Sequence, residues 1–300
     1  MTMPLPIGSA DSMNSLLIVG AGWVGRQIAS QAIYHGIATV LLDKSTNILN
    51  DAEEWIQNHL RSFTTDPDSH PSPRVFGQLR TAESLDQLPD DLTVALESVP
   101  EQISVKRRCL TELSERLPPD VALASNSSYF TPSMLAKYVH HPERFLHWHF
   151  HVPVWITRLV DVVPCTETKP EVVERILQLS RTMGQEPVYE PVEHPGYLFN
   201  WMLQALLKAA LELSQKGVAD PQTIDHVWRT VSHMPMGPFQ IMDQIGVDTI
   251  HQVISNARWA DASLPLQDLI DGLEPLLAEG RLGVKSGKGF YDYPQSATSR

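Results

Sequence analysis

The stretch "SLLIVGAGWVG" constrains this chain more than any other, because it fixes a turn together with the elements on either side. Its first half reads as a buried strand, and "WVGRQIASQAIYHG" continues at helical spacing. Between them Gly20, Gly22 and Gly25 stand in G-x-G-x-x-G order. The first glycine permits a tight turn, the second lets backbone approach a pyrophosphate, and the third lets helix and strand pack closely. Trp23 and Val24 open the helix, whose free N–H groups and positive dipole end favour a phosphate. "IATVLLD" is a second strand, and Asp43 ends it 18 residues after Gly25. A carboxylate there accepts hydrogen bonds from adenosine ribose hydroxyls and repels a 2′-phosphate, so the pattern points to NAD as cofactor. The plainer alternative is Asp43 as a strand-end turn residue.

The alternation continues. "NILNDAEEWIQNHLRSF" is an amphipathic helix, "TTDPDSHPSPR" a loop, and "VFGQLRTA", "LTVALESV" and "VALASN" are strands, with "SVKRRCLTELSERL" as a helix between the last two. Strands alternating with helices imply an α/β chain whose N-terminal part is a Rossmann-type, doubly wound sheet. "PVEHPGYLF" then breaks the pattern, and "NWMLQALLKAALELSQKG", "DPQTIDHVWRTVSH", "GPFQIMDQIGVDTIHQVISNAR" and "PLQDLIDGLEPLLAEG" all have helical period. The expected domains are therefore a flexible leader over 1–14, a dinucleotide-binding domain over 15–192 and an all-helical C-terminal domain over 193–300.

Of the 300 residues 42% are apolar and 19% charged, which predicts a packed core. A net charge of −12 argues against nucleic acid or an anionic membrane as partner. Two cysteines without CxxC spacing fit a reduced compartment, so the expected location is the cytoplasm. The first residues lack the basic and apolar segments of a secretory signal, and no apolar stretch reaches the roughly 20 residues that cross a bilayer.

"FLHWHFHVPVW" places His147, His149 and His151 at alternate positions. On a strand the three imidazoles share one face, with Trp148 and Phe150 on the other. Such a row could hold zinc, or it could carry one general base and two neighbours.

Several segments, in order, resemble the L-3-hydroxyacyl-CoA dehydrogenase family. "ALESVPE" is similar to its E-A-x-x-E segment, "SNSSY" to S-N-T-S-S, and "HFHVPVWITRLVDV" to H-F-F-N-P-V-x-x-M-x-L-V-E-V. "PGYLFN" resembles P-G-F-x-x-N, and "MPMGPFQIMDQIGVD" and "GRLGVKSGKGFYDY" resemble two signatures of the helical domain. The resemblance runs from about Ser15 to Tyr293. It implies that Glu101, Lys106 and Asn126 serve the cofactor and that His149 is the general base. It further implies that Asp161 orients His149 and that Ser128 and Asn200 hydrogen-bond the reacting oxygen. His147 and His151 become pocket or core histidines, and no metal is expected. The helical domain would carry the substrate cleft and a homodimer interface. The expected function is reversible, NAD-dependent oxidation of a 3-hydroxyl on a small hydroxyacyl or hydroxy-acid substrate.

Three departures accompany the match. The family's dyad glutamate is Asp161, one methylene shorter, and the asparagine of H-F-F-N is Val152. No lysine lies between Lys44 and Lys106, the region where the family's helical hairpin meets coenzyme A, leaving Arg61, Arg74 and Arg80 for a 3′-phosphate. Trp155 and Trp201 stand as candidates for a reshaped pocket or for packing. Two alternatives follow: a tailoring dehydrogenase acting on a non-CoA or carrier-protein-bound substrate, and an NAD-binding protein that has lost catalysis.

Overall fold

A computed structural model describes residues 15–65, 77–260 and 267–294. The expected leader lies outside the described residues, as does the expected Pro-rich loop from 66 to Arg74, while its first two residues, Thr64 and Thr65, end a helix. The first part of the chain runs β1 (Ser15–Val19), α1 (Trp23–Tyr34), β2 (Ala38–Leu42), α2 (Thr46–Thr65), β3 (Leu79–Ala82), β4 (Val94–Glu97), α3 (Ile103–Arg116), β5 (Ala122–Ser125), α4 (Pro132–Ala136), β6 (Phe145–Phe150), α5 (Val154–Thr157), β7 (Leu159–Pro164), α6 (Pro170–Thr182) and β8 (Glu186–Tyr189). These strands form one sheet in the order β3-β2-β1-β4-β5-β6-β7-β8. All neighbours are parallel except β6 and β7. Parallel strands covered on both faces must be apolar throughout, and β1 and β4 are buried at every residue. The chain reverses its direction of travel across the sheet between β1 and β4, the place where open α/β sheets bind ligands.

The sequence reading did not separate β7, α6 and β8, and two of these matter for function. The turn of α5 brings β7 back antiparallel to β6, setting His149 opposite Asp161 and His147 opposite Val163. The expected segregation of the row also holds. Trp148 and Phe150 enter the hydrophobic core, and the Trp148 indole N–H donates to Ser180 Oγ at 2.9 Å.

The remaining chain is helical: α7 (Tyr197–Gln215), α8 (Pro221–Ser232), α9 (Pro238–Ile245), α10 (Val247–Ala260) and α11 (Gln267–Ala278). The single helix expected across "GPFQIMDQIGVDTIHQVISNAR" is two, because Gly246 takes φ +101° and ends α9. Two buried carboxylates organise this part. Asp225 accepts from the Phe239 and Gln240 N–H groups and the Tyr291 hydroxyl. Asp243 accepts from the Phe290 and Tyr291 N–H groups and the Tyr293 hydroxyl. A Cβ at Gly289 would lie 1.9 Å from Asp243 Oδ1, which is why the tail needs glycine there.

The chain divides into two compact units, one ending at Glu193 and the other beginning at His194. Ser128–Phe130 belongs with the second, although the sequence reading placed it in the first. Tyr129 is the reason: its hydroxyl donates to Gln204 Oε1 at 2.7 Å and its ring joins the helical core. Among the described residues no helix is long and apolar enough to cross a membrane.

Candidate active site

The glycine-rich turn follows β1 and caps α1, and each of its glycines has a distinct reason. Gly20 has φ +108°, and a Cβ there would come within 2.5 Å of Ser98 O. A Cβ at Gly25 would sit 1.9 Å from Gly20 O. Gly22 has nothing within 4 Å of the same position, so backbone is open to a ligand there. Asp43 Oδ2 accepts from Ala21 N at 3.0 Å and its Oδ1 from Ser45 N at 3.1 Å. The carboxylate therefore clamps the turn as well as standing at the end of β2. Beside it a cleft of about 370 Å³ is lined by Gly20, Asp43, Lys44, Val99, Pro100 and Val105, among others. An open backbone turn, a helix N-terminus and a carboxylate at the edge of a cleft fit the adenosine and pyrophosphate of a dinucleotide. Trp23 is exposed beside the turn, and Val24 packs against the core.

At the C-terminal ends of β4 and β5 lies a buried ionic cluster. Lys106 Nζ reaches Glu97 Oε1 at 2.8 Å, Glu101 Oε2 at 3.1 Å and Val99 O at 3.3 Å. Ser125 Oγ donates to Glu97 Oε2 and Ser127 Oγ to Glu101 Oε1, both at 2.6 Å. Burial alone would lower the Lys106 pKa, but the charges of Glu101 and Glu97 outweigh it and hold the amine protonated. With these three oxygen partners, Lys106 ties Glu101 to the end of β4. Glu97 was missed by the sequence reading. The signal was available: a carboxylate inside the apolar run "TVALE" has to find a cation.

His149 and Asp161 meet as their register dictates, Nδ1 to Oδ2 at 2.9 Å, both buried. Aspartate thus reaches the imidazole despite the missing methylene, and the departure that motivated a silent protein does not break the pair. Burial lowers the His149 pKa below its ordinary value, opposed by the hydrogen bond that His149 donates to Asp161. Asp161 itself is buried, which raises a carboxyl pKa, yet its bonds to His149 and His151 pull it down to about 2. The pair is therefore a carboxylate facing a neutral imidazole. His151 Nε2 also reaches Asp161 Oδ2, at 2.8 Å. His147 is wholly buried, and burial, Lys106 and His149 push its pKa far down.

Donor atoms of His149, His151 and Asp161 lie within 4.8 Å of one another, near enough to share an ion, and His147 stands outside this group. The zinc site of three histidines considered from sequence is not formed. Asn126 Oδ1 accepts from Phe150 N at 2.8 Å, pinning the strand that carries His149. Ser128 and Asn200, both half-buried, lie in the second unit, the latter in the first turn of α7. Trp201 packs edge-on to His194 and against the helical core.

The profile described as "3-hydroxyacyl-CoA dehydrogenase, NAD binding domain" matches residues 15–192, and "3-hydroxyacyl-CoA dehydrogenase, C-terminal domain" matches residues 196–293. The chain belongs to the 3-hydroxyacyl-CoA dehydrogenase family. Like its relatives it is an NAD-dependent oxidoreductase. It is 28% identical to the mitochondrial hydroxyacyl-coenzyme A dehydrogenase of Sus scrofa, over 92% of this chain and 90% of that one. It is 30% identical to the 3-hydroxyadipyl-CoA dehydrogenase of Escherichia coli K12, over 94% of this chain and 59% of the relative. A solved diketoreductase superposes with a TM-score of 0.81 at 30% identity, covering 94% of this chain and 99% of that structure. The candidate site of this family member brings together a glycine turn, a lysine–glutamate cluster and a histidine–aspartate pair. The last of these departs from the family pattern.

Proposed function

We propose that this protein reversibly oxidises a secondary 3-hydroxyl on a small hydroxyacyl substrate, with His149 as general base. The observation that carries the reading is the buried His149–Asp161 pair, where an ionised carboxylate faces Nδ1. An ionised carboxylate cannot donate, so Nδ1 carries the proton and Nε2 is the basic nitrogen. In oxidation Nε2 takes the hydroxyl proton, the O–H electron pair becomes the second C–O bond, and hydride leaves the same carbon. NAD, when bound, supplies the acceptor for that hydride. Asp161 then stabilises the imidazolium, as the third group does in a nucleophile triad. Gly20, Gly22, Gly25, Asp43, Glu101 and Asn126 are assigned to holding the cofactor, with Lys106 behind Glu101. Family resemblance assigns Ser128 and Asn200 to the reacting oxygen, whose negative charge grows in the reduction direction.

A second reading, a tailoring dehydrogenase acting on a substrate other than a CoA thioester, draws support from an aromatic cluster in the first unit. Trp55 of α2 stacks on His59 at 4.6 Å, and its ring lies 5.7 Å from Trp23 and 5.9 Å from Trp155. The Arg26 guanidinium stands 6.0 Å from the same ring. Such a surface offers stacking more than phosphate contacts. A panel of 3-hydroxy compounds with NAD, followed at the NADH absorbance, separates the readings. Turnover of 3-hydroxybutyryl-CoA supports the first, turnover of free or aromatic 3-hydroxy acids alone supports the second, and turnover of none overturns both.

A homodimer is part of the proposal. Leu198 and Met202 of α7 are 57% and 63% exposed, and Val227 and Val231 of α8 are 55% and 76% exposed. Apolar pairs at i, i+4 spacing on two helices favour burial against a second copy. Light scattering should return twice the 33.6 kDa chain mass, and a monomer at micromolar concentration would end this part.

A further inference from the structure

The shortened carboxylate at position 161 and the histidine at position 151 belong together. Family sequences carry H-F-F where this chain has His149-Phe150-His151, so the second imidazole replaces a phenyl ring. His151 lies one residue beyond β6, and its N–H still donates to Leu159 O at 3.4 Å, which extends the pairing toward β7. Its side chain therefore points to the same face as His149. Asp161 Oδ2 consequently takes two ring nitrogens, His149 Nδ1 at 2.9 Å and His151 Nε2 at 2.8 Å. The two rings meet edge to face, with centroids 4.9 Å apart at 75°, so they approach the oxygen from different directions.

We propose that His151 is a positioning residue for the dehydrogenase reaction, holding the short carboxylate of Asp161 against the general base. The inference rests on His149 being that base. A glutamate spans the gap by its own length; an aspartate must be held, and a second donor on the same oxygen restricts how it can rotate. Sharing that oxygen also changes the charge balance at His149. The titratable groups facing His149 are Asp161 from β7, His147 from β6, His151 just beyond it, and Glu101 from the segment between β4 and α3. Of these, Asp161 and Glu101 favour the imidazolium, and charge on His151 opposes it. His151 thus helps to keep His149 unprotonated and able to accept a proton.

The test uses the full-length enzyme with saturating NAD and 3-hydroxybutyryl-CoA, or the 3-hydroxy acid the panel selects. His151→Phe should lower kcat on the order of 10- to 100-fold, the scale of a small misplacement of a catalytic group, with KM within about twofold. His151→Asn retains an N–H donor and should recover much of kcat. In both variants the acid limb of the oxidation profile should move to higher pH, because the imidazole that lowers the His149 pKa is gone. Packing alone would not move that limb. His151→Phe combined with Asp161→Glu rebuilds the family arrangement and should outperform His151→Phe by itself. Unchanged kcat and an unmoved acid limb in His151→Phe, with melting temperature preserved, would overturn the inference. So would a stoichiometric divalent metal in the purified protein that His151→Phe abolishes. Retained turnover in His149→Ala would instead remove the base on which the inference stands, leaving the two failures distinguishable.

Discussion

Replacing His149 by alanine should lower turnover by roughly 100- to 10,000-fold, the range that positioned acid–base groups contribute. NAD affinity should change little, because the glycine turn and Asp43 belong to other strand ends. Steady-state oxidation and a fluorescence titration with NADH read the two quantities separately. The pH profile of the unmodified enzyme carries the same information. A general base works only when neutral, so oxidation is present above its pKa and lost as pH falls through it. Burial sets the His149 pKa below its ordinary value, so the acid limb should lie below the roughly 6.5 of a free imidazole. Turnover within threefold of the parent in His149→Ala would remove the base from the mechanism.

The second large effect is on stability. Lys106→Met should destabilise the protein by roughly 3–5 kcal/mol, because it leaves the buried Glu97 and the half-buried Glu101 without their cation. For a unit of this size that is a fall in melting temperature of about 6–20 °C. Glu97→Gln in the same background removes one orphaned charge, so the double variant should be less destabilised than the two single losses added together. The sign with pH follows from the raised lysine pKa. Stability from this amine is complete below about 10.4, its unfolded value, and is lost only as pH rises through the higher folded value. Lys106→Met should therefore lie below the parent throughout the neutral range. A melting temperature within about 2 °C of the parent would show that the cluster contributes little.

Much of the first unit was legible because its signals are local. The glycine turn, Asp43 and the apolar strands β1, β2, β4 and β5 declare themselves within a dozen residues, by composition and period. The histidine row was legible as a row for the same reason, since alternation is a property of one strand. Its pairing with Asp161 was legible only through the family resemblance, because which imidazole meets which carboxylate depends on the pairing of β6 with β7 across a 12-residue separation. Glu97 escaped for a related reason: its partners Lys106 and Ser125 are 9 and 28 residues away. The break at Gly246 could not be placed by helical period, which continues across it on both sides. The reach of Asp161 was not legible, since a missing methylene can be absorbed by backbone that sequence does not display.

The allegiance of Ser128–Phe130 has a consequence for how the polypeptide can be divided. The chain passes from one unit to the other after Ser127, returns after Phe130 and leaves again after Glu193. Three covalent crossings join the two bodies where a single hinge would have been assumed. A fragment beginning at His194 would lack the tyrosine that fills part of its own interior, so the helical unit is not a module that recombination could exchange at one splice point.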